Sequence, residues 1–156
     1  MLLHQLHKLF VGLQESSDVS PRYFHYLVVT KDGGKTWKSI SSNIPENNFV
    51  WTVVEDHVNP NVLFIGTEFG MYFSMDAGSS WRKFKKVPTI PIRDLEIHEG
   101  EDDLVAASFG RGFYIVDDYS PIREYSRQID GQPAHLFSVK STYQFIVAAP
   151  EKTATG

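Results

Sequence analysis

The chain alternates between short apolar runs and brief polar turns. Runs at residues 49–55, 62–67 and 71–74 are rich in β-branched and aromatic residues, which are typical of β-strands. The stretches between them contain Asn, Pro and Gly, residues that favour tight turns. A matching succession follows at residues 91–97, 104–108 and 113–116. The pattern predicts an all-β chain built from a repeated antiparallel unit.

The first 48 residues carry a weaker version of this unit. Residues 8–13 and 23–30 predict strands, and the polar residues 14–22 predict a loop between them. The short run at residues 37–40 predicts an outer strand. Because no clear innermost strand precedes residue 8, we expect this unit to be truncated on its N-terminal side.

Two octets, 44 residues apart, each follow an apolar run of successive units. Residues 30–37 read Thr-Lys-Asp-Gly-Gly-Lys-Thr-Trp, and residues 74–81 read Ser-Met-Asp-Ala-Gly-Ser-Ser-Trp. The shared positions are Thr30, Asp32, Gly34, Thr36 and Trp37 in the first octet, and Ser74, Asp76, Gly78, Ser80 and Trp81 in the second. A pattern that recurs at this spacing indicates a repeat architecture.

The chemistry of the octet is that of a turn between two strands. An Asp side chain accepts hydrogen bonds from backbone N–H groups a few residues on, and Gly supplies a positive φ. We expect the Trp to enter the apolar layer beneath the turn. Asp32 and Asp76 are therefore predicted to maintain the fold rather than to take part in catalysis.

We divide the chain into four segments. They are a truncated unit at 1–48, a complete unit at 49–88, a third unit at 89–128 and C-terminal strands with a tail at 129–156. In the third unit Asp118 takes the position of Asp32 and Asp76, but the octet has degenerated after it, so we expect a different ending there. Beyond it, residues 135–139 and 143–148 predict two more strands.

The octets resemble the Asp-box, or BNR, repeat of β-propellers. The stretches 66–70, 108–112 and 114–118 are similar to those of bacterial glycosyl-hydrolase-like and sortilin-type (VPS10-like) propellers. The resemblance spans roughly residues 9–137. It implies four-stranded antiparallel blades, with about three blades in this chain, in a fold shared by enzymes and non-enzymes.

About three blades are too few to close a propeller ring. Propellers close with about four to eight blades around a central channel. A wedge of about three blades leaves sheet edges and apolar blade faces in water, which is unfavourable. We therefore expect either a homo-oligomer that closes the ring or a chain that is part of a longer propeller.

A ligand site is predicted at the end of the blades away from the octets. Turns and strand starts bring together a ligand-binding rim there, formed by Trp51, Glu68, Phe69, Arg93, Phe109 and Arg111. Aromatic rings stack on sugars or side chains, and Arg binds carboxylates. The rim therefore predicts glycan or peptide recognition. The alternative is that Glu68 and Arg111 form a structural ion pair between blades.

A hydrolase is the competing hypothesis. Glycoside cleavage uses two carboxyl groups, and Glu68 with Asp18 would supply them, with Asp94 and Glu96 in reserve. The resemblance to sialidases implies three arginines and a Tyr–Glu pair spread over a whole ring, and no stretch here matches those motifs. We therefore expect a non-catalytic binding module, with a fragment of a sialidase-like glycoside hydrolase as the alternative.

Composition narrows the classes of function. The chain is 42% hydrophobic, and its net charge of −4 argues against nucleic acid as a partner. It has no cysteine, and its six histidines are scattered, so neither a metal nor a cofactor is expected. No apolar run approaches the roughly 20 residues of a membrane span. The first residues do not predict a signal peptide, although the resemblance implies secreted or periplasmic full-length relatives.

Overall fold

The computed structural model describes residues 9–17, 20–125, 129 and 131–141, with side-chain surroundings from residue 27 onward. This part contains ten strands and one short helix. The strands are β1 Leu9–Ser17, β2 Ser20–Thr30, β3 Lys38–Ser39, β4 Val50–Glu55, β5 Leu63–Thr67, β6 Gly70–Ser74, β7 Arg82–Lys83, β8 Ile92–His98, β9 Asp103–Ser108 and β10 Phe113–Val116, and the helix is α1 Pro121–Glu124.

The strands form three antiparallel sheets, each an up-and-down meander. The middle sheet has four strands in the order β4-β5-β6-β7, while the flanking sheets are β1-β2-β3 and β8-β9-β10. We call them blade 2, blade 1 and blade 3. They are successive β-propeller blades, and in the described residues only blade 2 has all four strands.

Most strands lie where the apolar runs place them, but two stretches differ from the prediction. Residues 14–22 were predicted to form a loop, yet β1 continues to Ser17 and β2 begins at Ser20. Backbone pairing such as Gln14 with His25 extends the hairpin, because ladder hydrogen bonds do not depend on apolar side chains. Residues 135–139, predicted as a strand, are irregular. Residues 1–8 and 143–148 lie outside the described part.

The core is divided between two seams, where neighbouring blades pack face to face. The first seam joins blades 1 and 2 and contains Leu27, Val29, Ile40, Leu63, Ile65, Tyr72 and Trp81. The second seam joins blades 2 and 3 and contains Val62, Phe64, Met71, Val87, Ile92, Leu95, Leu104, Ala106 and Tyr119. Successive side chains of a strand point to opposite faces. For this reason β5 serves both seams and is buried along its whole length.

The second seam is close enough for backbones to touch. A Cβ added to Gly66 would lie 2.7 Å from the carbonyl oxygen of Ile92 and 2.7 Å from Cγ2 of Thr52. No side chain fits at that position. Gly66 therefore lets β5 of blade 2 lie against β8 of blade 3, which positions the strand starts that carry the rim.

Candidate functional site

The two octets adopt one hydrogen-bonded turn. The Asp76 carboxylate accepts hydrogen bonds from the hydroxyl of Ser74 (2.8 Å), the backbone N–H of Ser80 (2.8 Å) and the hydroxyl of Ser80 (2.6 Å). Asp32 accepts the equivalent bonds from Thr30 and Thr36 at 2.8, 2.9 and 2.6 Å. Both carboxylates are occupied with the turn, and the octets lie at the end of the blades opposite the rim.

These bonds favour the ionised carboxylates. The side chain and backbone N–H of Thr36 lower the pKa of Asp32 to about 2. Burial opposes ionisation of Asp76, but hydrogen bonds from Ser80 and Ser74 outweigh it and its pKa also lies below the ordinary value.

The two tryptophans of the octets lie in different surroundings. Trp81 is 3% exposed and its Nε1 donates to the carbonyl of Ile40 at 2.6 Å across the first seam. Trp37 is 45% exposed, and its Nε1 donates to Gly34 within its own turn. The expectation that both rings enter an apolar layer is wrong for Trp37, because in the described residues blade 1 packs on the face of blade 2 that carries Trp81, whereas no blade packs on the face of blade 1 that carries Trp37.

The rim is built on two equivalent irregularities in the inner strands. Pairing of β4 with β5 shifts register between Val50 and Thr52, and pairing of β8 with β9 shifts between Ile92 and Asp94. The residues at the shifts are Trp51 and Arg93. Bulges of this kind redirect side chains. The Arg93 guanidinium carbon lies 3.6 Å from the centroid of the Trp51 ring, so the two bulges meet across the second seam.

Four side chains form a continuous stack across the rim. Phe49 stacks on Trp51 with ring centroids 6.0 Å apart, Trp51 contacts Arg93, and Arg93 lies 5.2 Å from the centroid of Phe109. We call Phe49, Trp51, Arg93 and Phe109 the rim stack. Cation–π contacts of this type fix the orientation of a guanidinium that would otherwise move freely.

Glu68 anchors the rim stack from the turn between β5 and β6. Its Oε2 accepts a hydrogen bond from Nε1 of Trp51 at 2.9 Å and lies 4.0 Å from Nη2 of Arg93. The predicted ion pair of Glu68 with Arg111 is therefore not the contact observed; Arg93 is the arginine that approaches Glu68. Both charged side chains keep part of their surface in water, at 28% for Glu68 and 38% for Arg93.

The other predicted site residues are placed less tightly. Phe69 and Phe109 are exposed at 40% and 69%, and Arg111 is exposed in the turn between β9 and β10. Asp94 and Glu96 lie exposed on β8. Asp18, the second carboxylate of the hydrolase hypothesis, lies outside the described residues.

A second polar cluster, which the sequence did not predict, lies at the octet end of the second seam. Arg123 on α1 donates from Nε and Nη2 to the Asp56 carboxylate at 2.8 and 2.6 Å, and from Nη2 to Asp102 at 2.6 Å. The Tyr119 hydroxyl donates to Asp56 at 2.6 Å, and His57 lies 3.4 Å from Asp102. We call this group the Arg123 latch.

The Arg123 latch attaches the end of blade 3 to blade 2. The side chain of Asp56 is fully buried. Burial alone would raise the pKa of Asp56, but the hydrogen bonds from Arg123 and Tyr119 outweigh this effect. The pKa therefore lies below its ordinary value, and the carboxylate is ionised. Burial and the Asp56 charge raise the pKa of Tyr119. The latch replaces the hairpin that the degenerate octet no longer forms, and its partners come from three separate turns, so local sequence gave no signal for it.

Among the described residues, no three His, Asp or Glu side chains are arranged to hold a metal ion. No helix in the same part of the chain has the length and hydropathy of a membrane span.

The chain matches the model of a known family. The model of the Sortilin-Vps10 family, described as sortilin, neurotensin receptor 3, matches residues 25–121, which is more than half of the chain. A search of curated protein sequences gives no significant match.

Solved structures with a similar fold include GH74 enzymes. A GH74 enzyme from Niastella koreensis is 17% identical over 73% of this chain, with a TM-score of 0.56. A GH74 xyloglucanase from Xanthomonas campestris is 14% identical over 81% of it, with a TM-score of 0.55. The chain spans 18% and 22% of those two proteins, about a fifth of their length. At this identity the likeness shows the fold alone.

Proposed function

Because the chain belongs to the Sortilin-Vps10 family, we propose that it is a non-catalytic propeller module whose rim binds a glycan or a peptide ligand. The observation that carries this proposal is the rim stack, a Trp–Arg–Phe array oriented by Glu68 at the end of the blades away from the octets. Aromatic and arginine side chains fixed in one orientation are what recognition surfaces use for tight contact.

Of the two ligand classes, the rim favours a peptide or protein segment. The ring of Trp51 already contacts Phe49 and Arg93, so part of its stacking surface is used within the protein. The more exposed apolar surface is the ring of Phe109, and Phe69, in the turn between β5 and β6, adds a second exposed ring. Apolar side chains of a peptide can cover such rings without further polar contacts. A sugar would need a polar partner for each hydroxyl group that it buries.

We also propose that the chain completes its ring by self-association. Two chains of about three blades would give about six, within the range of roughly four to eight blades that close a propeller. A dimer would also cover the outer faces of blades 1 and 3. The rim of each chain would then lie beside a common central channel.

The alternative function is a fragment of a glycoside hydrolase, with Glu68 and Asp18 as the two carboxylates. The contacts of Glu68 argue for a positioning role instead. Its carboxylate accepts the indole N–H of Trp51 at 2.9 Å and lies 4.0 Å from Arg93, so it is already engaged in holding the rim stack. Turnover of a glycan that is lost in Glu68→Gln would support the hydrolase instead.

The test of the rim is ligand binding by matched variants. The purified chain is screened on a glycan array and on a peptide library, and affinities of the ligands found are measured by calorimetry. We expect Trp51→Ala, Arg93→Ala and Phe109→Ala each to weaken binding by about tenfold or more, as truncation of a central contact does.

Arg82→Ala is the control for Arg93→Ala. Arg82 also stacks on an aromatic ring, that of Tyr125 at 4.9 Å, but it lies on the outer strand β7. We expect its removal to leave affinity within about twofold of the wild type, since it does not reach the rim. Equal losses in Arg82→Ala and Arg93→Ala, or no loss in either, would remove the rim from the site.

A further inference from the structure

The turn between β5 and β6 holds the blade 2 part of the rim, and blade 2 has a seam on each side. The turn carries Glu68 and Phe69, and the two residues that precede β4 bind its backbone. The N–H of Glu68 donates to the carbonyl of Phe49 at 2.9 Å. The N–H of Phe69 donates to Oδ1 of Asn48 at 3.1 Å, with Oγ1 of Thr67 as a longer second acceptor at 3.3 Å. One of the two attachments of the turn is therefore made by a side chain.

Asn48 is a buried polar residue whose amide is only partly used. The residue is 2% exposed. Its Nδ2 is buried and, in the described residues, has no hydrogen bond of regular geometry. The amide does interact with the hydroxyl of Tyr72, where burial raises the pKa and Asn48 opposes the rise only in part. A buried amide group without a full partner costs free energy. Packing alone therefore does not account for an asparagine at this position.

Blade 3 repeats the backbone attachment without the side-chain one. The strand pairing places Ile90 at the position of Asn48 and Phe109 at the position of Glu68. The N–H of Phe109 donates to the carbonyl of Pro91 at 2.9 Å, so the backbone bond is the same. The side chain of Ile90 has no acceptor atom. The amide bond therefore belongs to the blade whose turn carries the carboxylate of the rim.

We propose that Asn48 is a positioning residue of the rim, which holds the β5–β6 turn so that Glu68 points toward Trp51. This inference rests on the ligand-binding function proposed for the rim and adds the residue that orients it. Because Asn48 is buried, it acts through the turn and not on the ligand. The turn places Oε2 of Glu68 at 2.9 Å from Nε1 of Trp51 and at 4.0 Å from Nη2 of Arg93. Side chains that are oriented before binding lose less freedom when the ligand arrives, which raises affinity.

A matched control residue lies in the same connection between β3 and β4. Asn43 accepts from the backbone N–H of Trp81 and donates to its carbonyl, at 2.8 Å each. These bonds lie at the octet end of blade 2, whereas the Asn48 bond lies at the rim end. Replacement of either asparagine by leucine removes the amide and leaves a side chain of similar size. The two variants therefore differ in which end of blade 2 they release.

The measurement is the position of each indole N–H signal in proton–nitrogen correlation spectra. The chain has three tryptophans. Their indoles donate to three different acceptors, which are Gly34 for Trp37, Glu68 for Trp51 and Ile40 for Trp81. A Trp→Phe variant of each assigns the three signals. Glu68→Ala then gives the position of the Trp51 signal when its acceptor is missing.

We expect Asn48→Leu to move the Trp51 signal toward its position in Glu68→Ala and to leave the Trp81 signal in place. Asn48→Asp keeps the Oδ1 acceptor and should keep the Trp51 signal of the wild type. Asn43→Leu should do the reverse of Asn48→Leu, moving the Trp81 signal alone. Affinity for the ligands found for the rim should fall about threefold to tenfold in Asn48→Leu. It should stay within about twofold of the wild type in Asn48→Asp and Asn43→Leu.

The outcomes separate this inference from the proposed function. An unchanged Trp51 signal in Asn48→Leu overturns the positioning role, whatever the affinity. Movement of the Trp51 and Trp81 signals together also overturns it, because Asn48 would then support the fold as a whole. A wild type that binds neither glycan nor peptide overturns the proposed function, while the spectra still decide whether Asn48 orients Trp51. If melting curves show that Asn48→Leu does not fold, Asn48→Ala adds no volume and should give the same movement of the Trp51 signal.

Discussion

The two octets share a turn but differ in what covers it. In both, the Asp carboxylate accepts the same three hydrogen bonds at 2.6 to 2.9 Å, and Gly34 and Gly78 adopt positive φ values of 90° and 83°. Yet Trp37 is 45% exposed and Trp81 is 3% exposed. The octet therefore specifies the local turn, and the neighbouring blade decides whether its tryptophan stabilises the fold.

The difference between the two tryptophans separates two contributions to stability, the hydrogen bonds within the turn and the packing of the tryptophan against a neighbouring blade. Hydrogen bonds within the turn act at both octets regardless of neighbours, because donors and acceptors lie within eight residues. Packing of the tryptophan requires a second blade and is a tertiary contribution. Paired substitutions at equivalent positions can measure each contribution by itself.

The largest expected contrast is between Trp81→Ala and Trp37→Ala. Removal of Trp81 leaves a cavity in the first seam and leaves the Ile40 carbonyl without its 2.6 Å donor, so we expect a loss of about 3–5 kcal/mol in the free energy of unfolding. Trp37→Ala removes a largely exposed ring and should cost no more than about 1 kcal/mol. Urea unfolding by circular dichroism, at a concentration where the chain is monomeric, measures both.

Equal losses in the two tryptophan variants would contradict the comparison. That outcome would mean that a surface covers Trp37 in the monomer as well as in the proposed dimer. Repeating the measurement at high concentration adds a second reading, since Trp37→Ala should lose additional stability only where the wild type is dimeric.

Gly78→Ala and Gly34→Ala should give the next largest contrast. Both place a Cβ at positive φ, which costs about 1–2 kcal/mol at either position. A Cβ at Gly78 would also lie 2.8 Å from Ile40, whereas at Gly34 its nearest contact is Trp37 at 3.7 Å. Because of this overpacking of the first seam, Gly78→Ala should lose about 1–3 kcal/mol more free energy of unfolding than Gly34→Ala, as measured in the same assay.

An equal loss of stability in the two glycine variants would contradict this prediction. If Gly34→Ala costs as much as Gly78→Ala, the whole effect comes from backbone strain, and the approach of Ile40 to the turn contributes nothing. A Gly78→Ala, Ile40→Ala double variant distinguishes these causes, because removing the crowded side chain should recover the packing part of the loss.

Much of the fold follows from local patterns. Apolar runs rich in β-branched and aromatic residues predicted β4, β5, β6, β8, β9 and β10, because such runs between turn residues are a strong local signal for a strand. The hairpin of β1 and β2 was underestimated, since its polar residues pair through backbone groups that carry no sequence signature. The irregular stretch at residues 135–139 shows the reverse: apolar residues without a neighbouring sheet do not make a strand.

The candidate site likewise has a part that local sequence predicts and a part that depends on packing between blades. Aromatic and charged residues in equivalent turns and strand starts led to the prediction of Trp51, Glu68, Arg93 and Phe109, whereas Phe49 of the rim stack was missed. The choice of Arg93 rather than Arg111 as the partner of Glu68 depends on two bulges meeting across a seam. The Arg123 latch joins residues up to 67 positions apart, from Asp56 to Arg123. No local pattern links such positions, because only the packing of blade 3 on blade 2 brings them together.

The smallest expected effect, and the one that the two octets should share, is a dependence of stability on pH. Hydrogen bonds lower the pKa of Asp32 from 3.8 to about 2 and lower that of Asp76 in the same direction. A depressed folded-state pKa means that the stabilisation is complete above the unfolded pKa near 3.8, and is lost as the pH falls through the folded value.

Asp32→Asn and Asp76→Asn should therefore each flatten the decline of melting temperature below pH 4, because the ionised acceptor they remove is the group that titrates there. The flattening should be similar at the two octets, in contrast to the tryptophan and glycine pairs, since these bonds lie within each turn. Melting curves between about pH 2 and 6 measure it, and Asp94→Asn, which changes an exposed carboxylate on β8 outside the octets, is the control. A decline as steep in the Asp76 variant as in the wild type would show that the turn carboxylates do not contribute to acid unfolding, and that other ionised groups such as Asp56 dominate it.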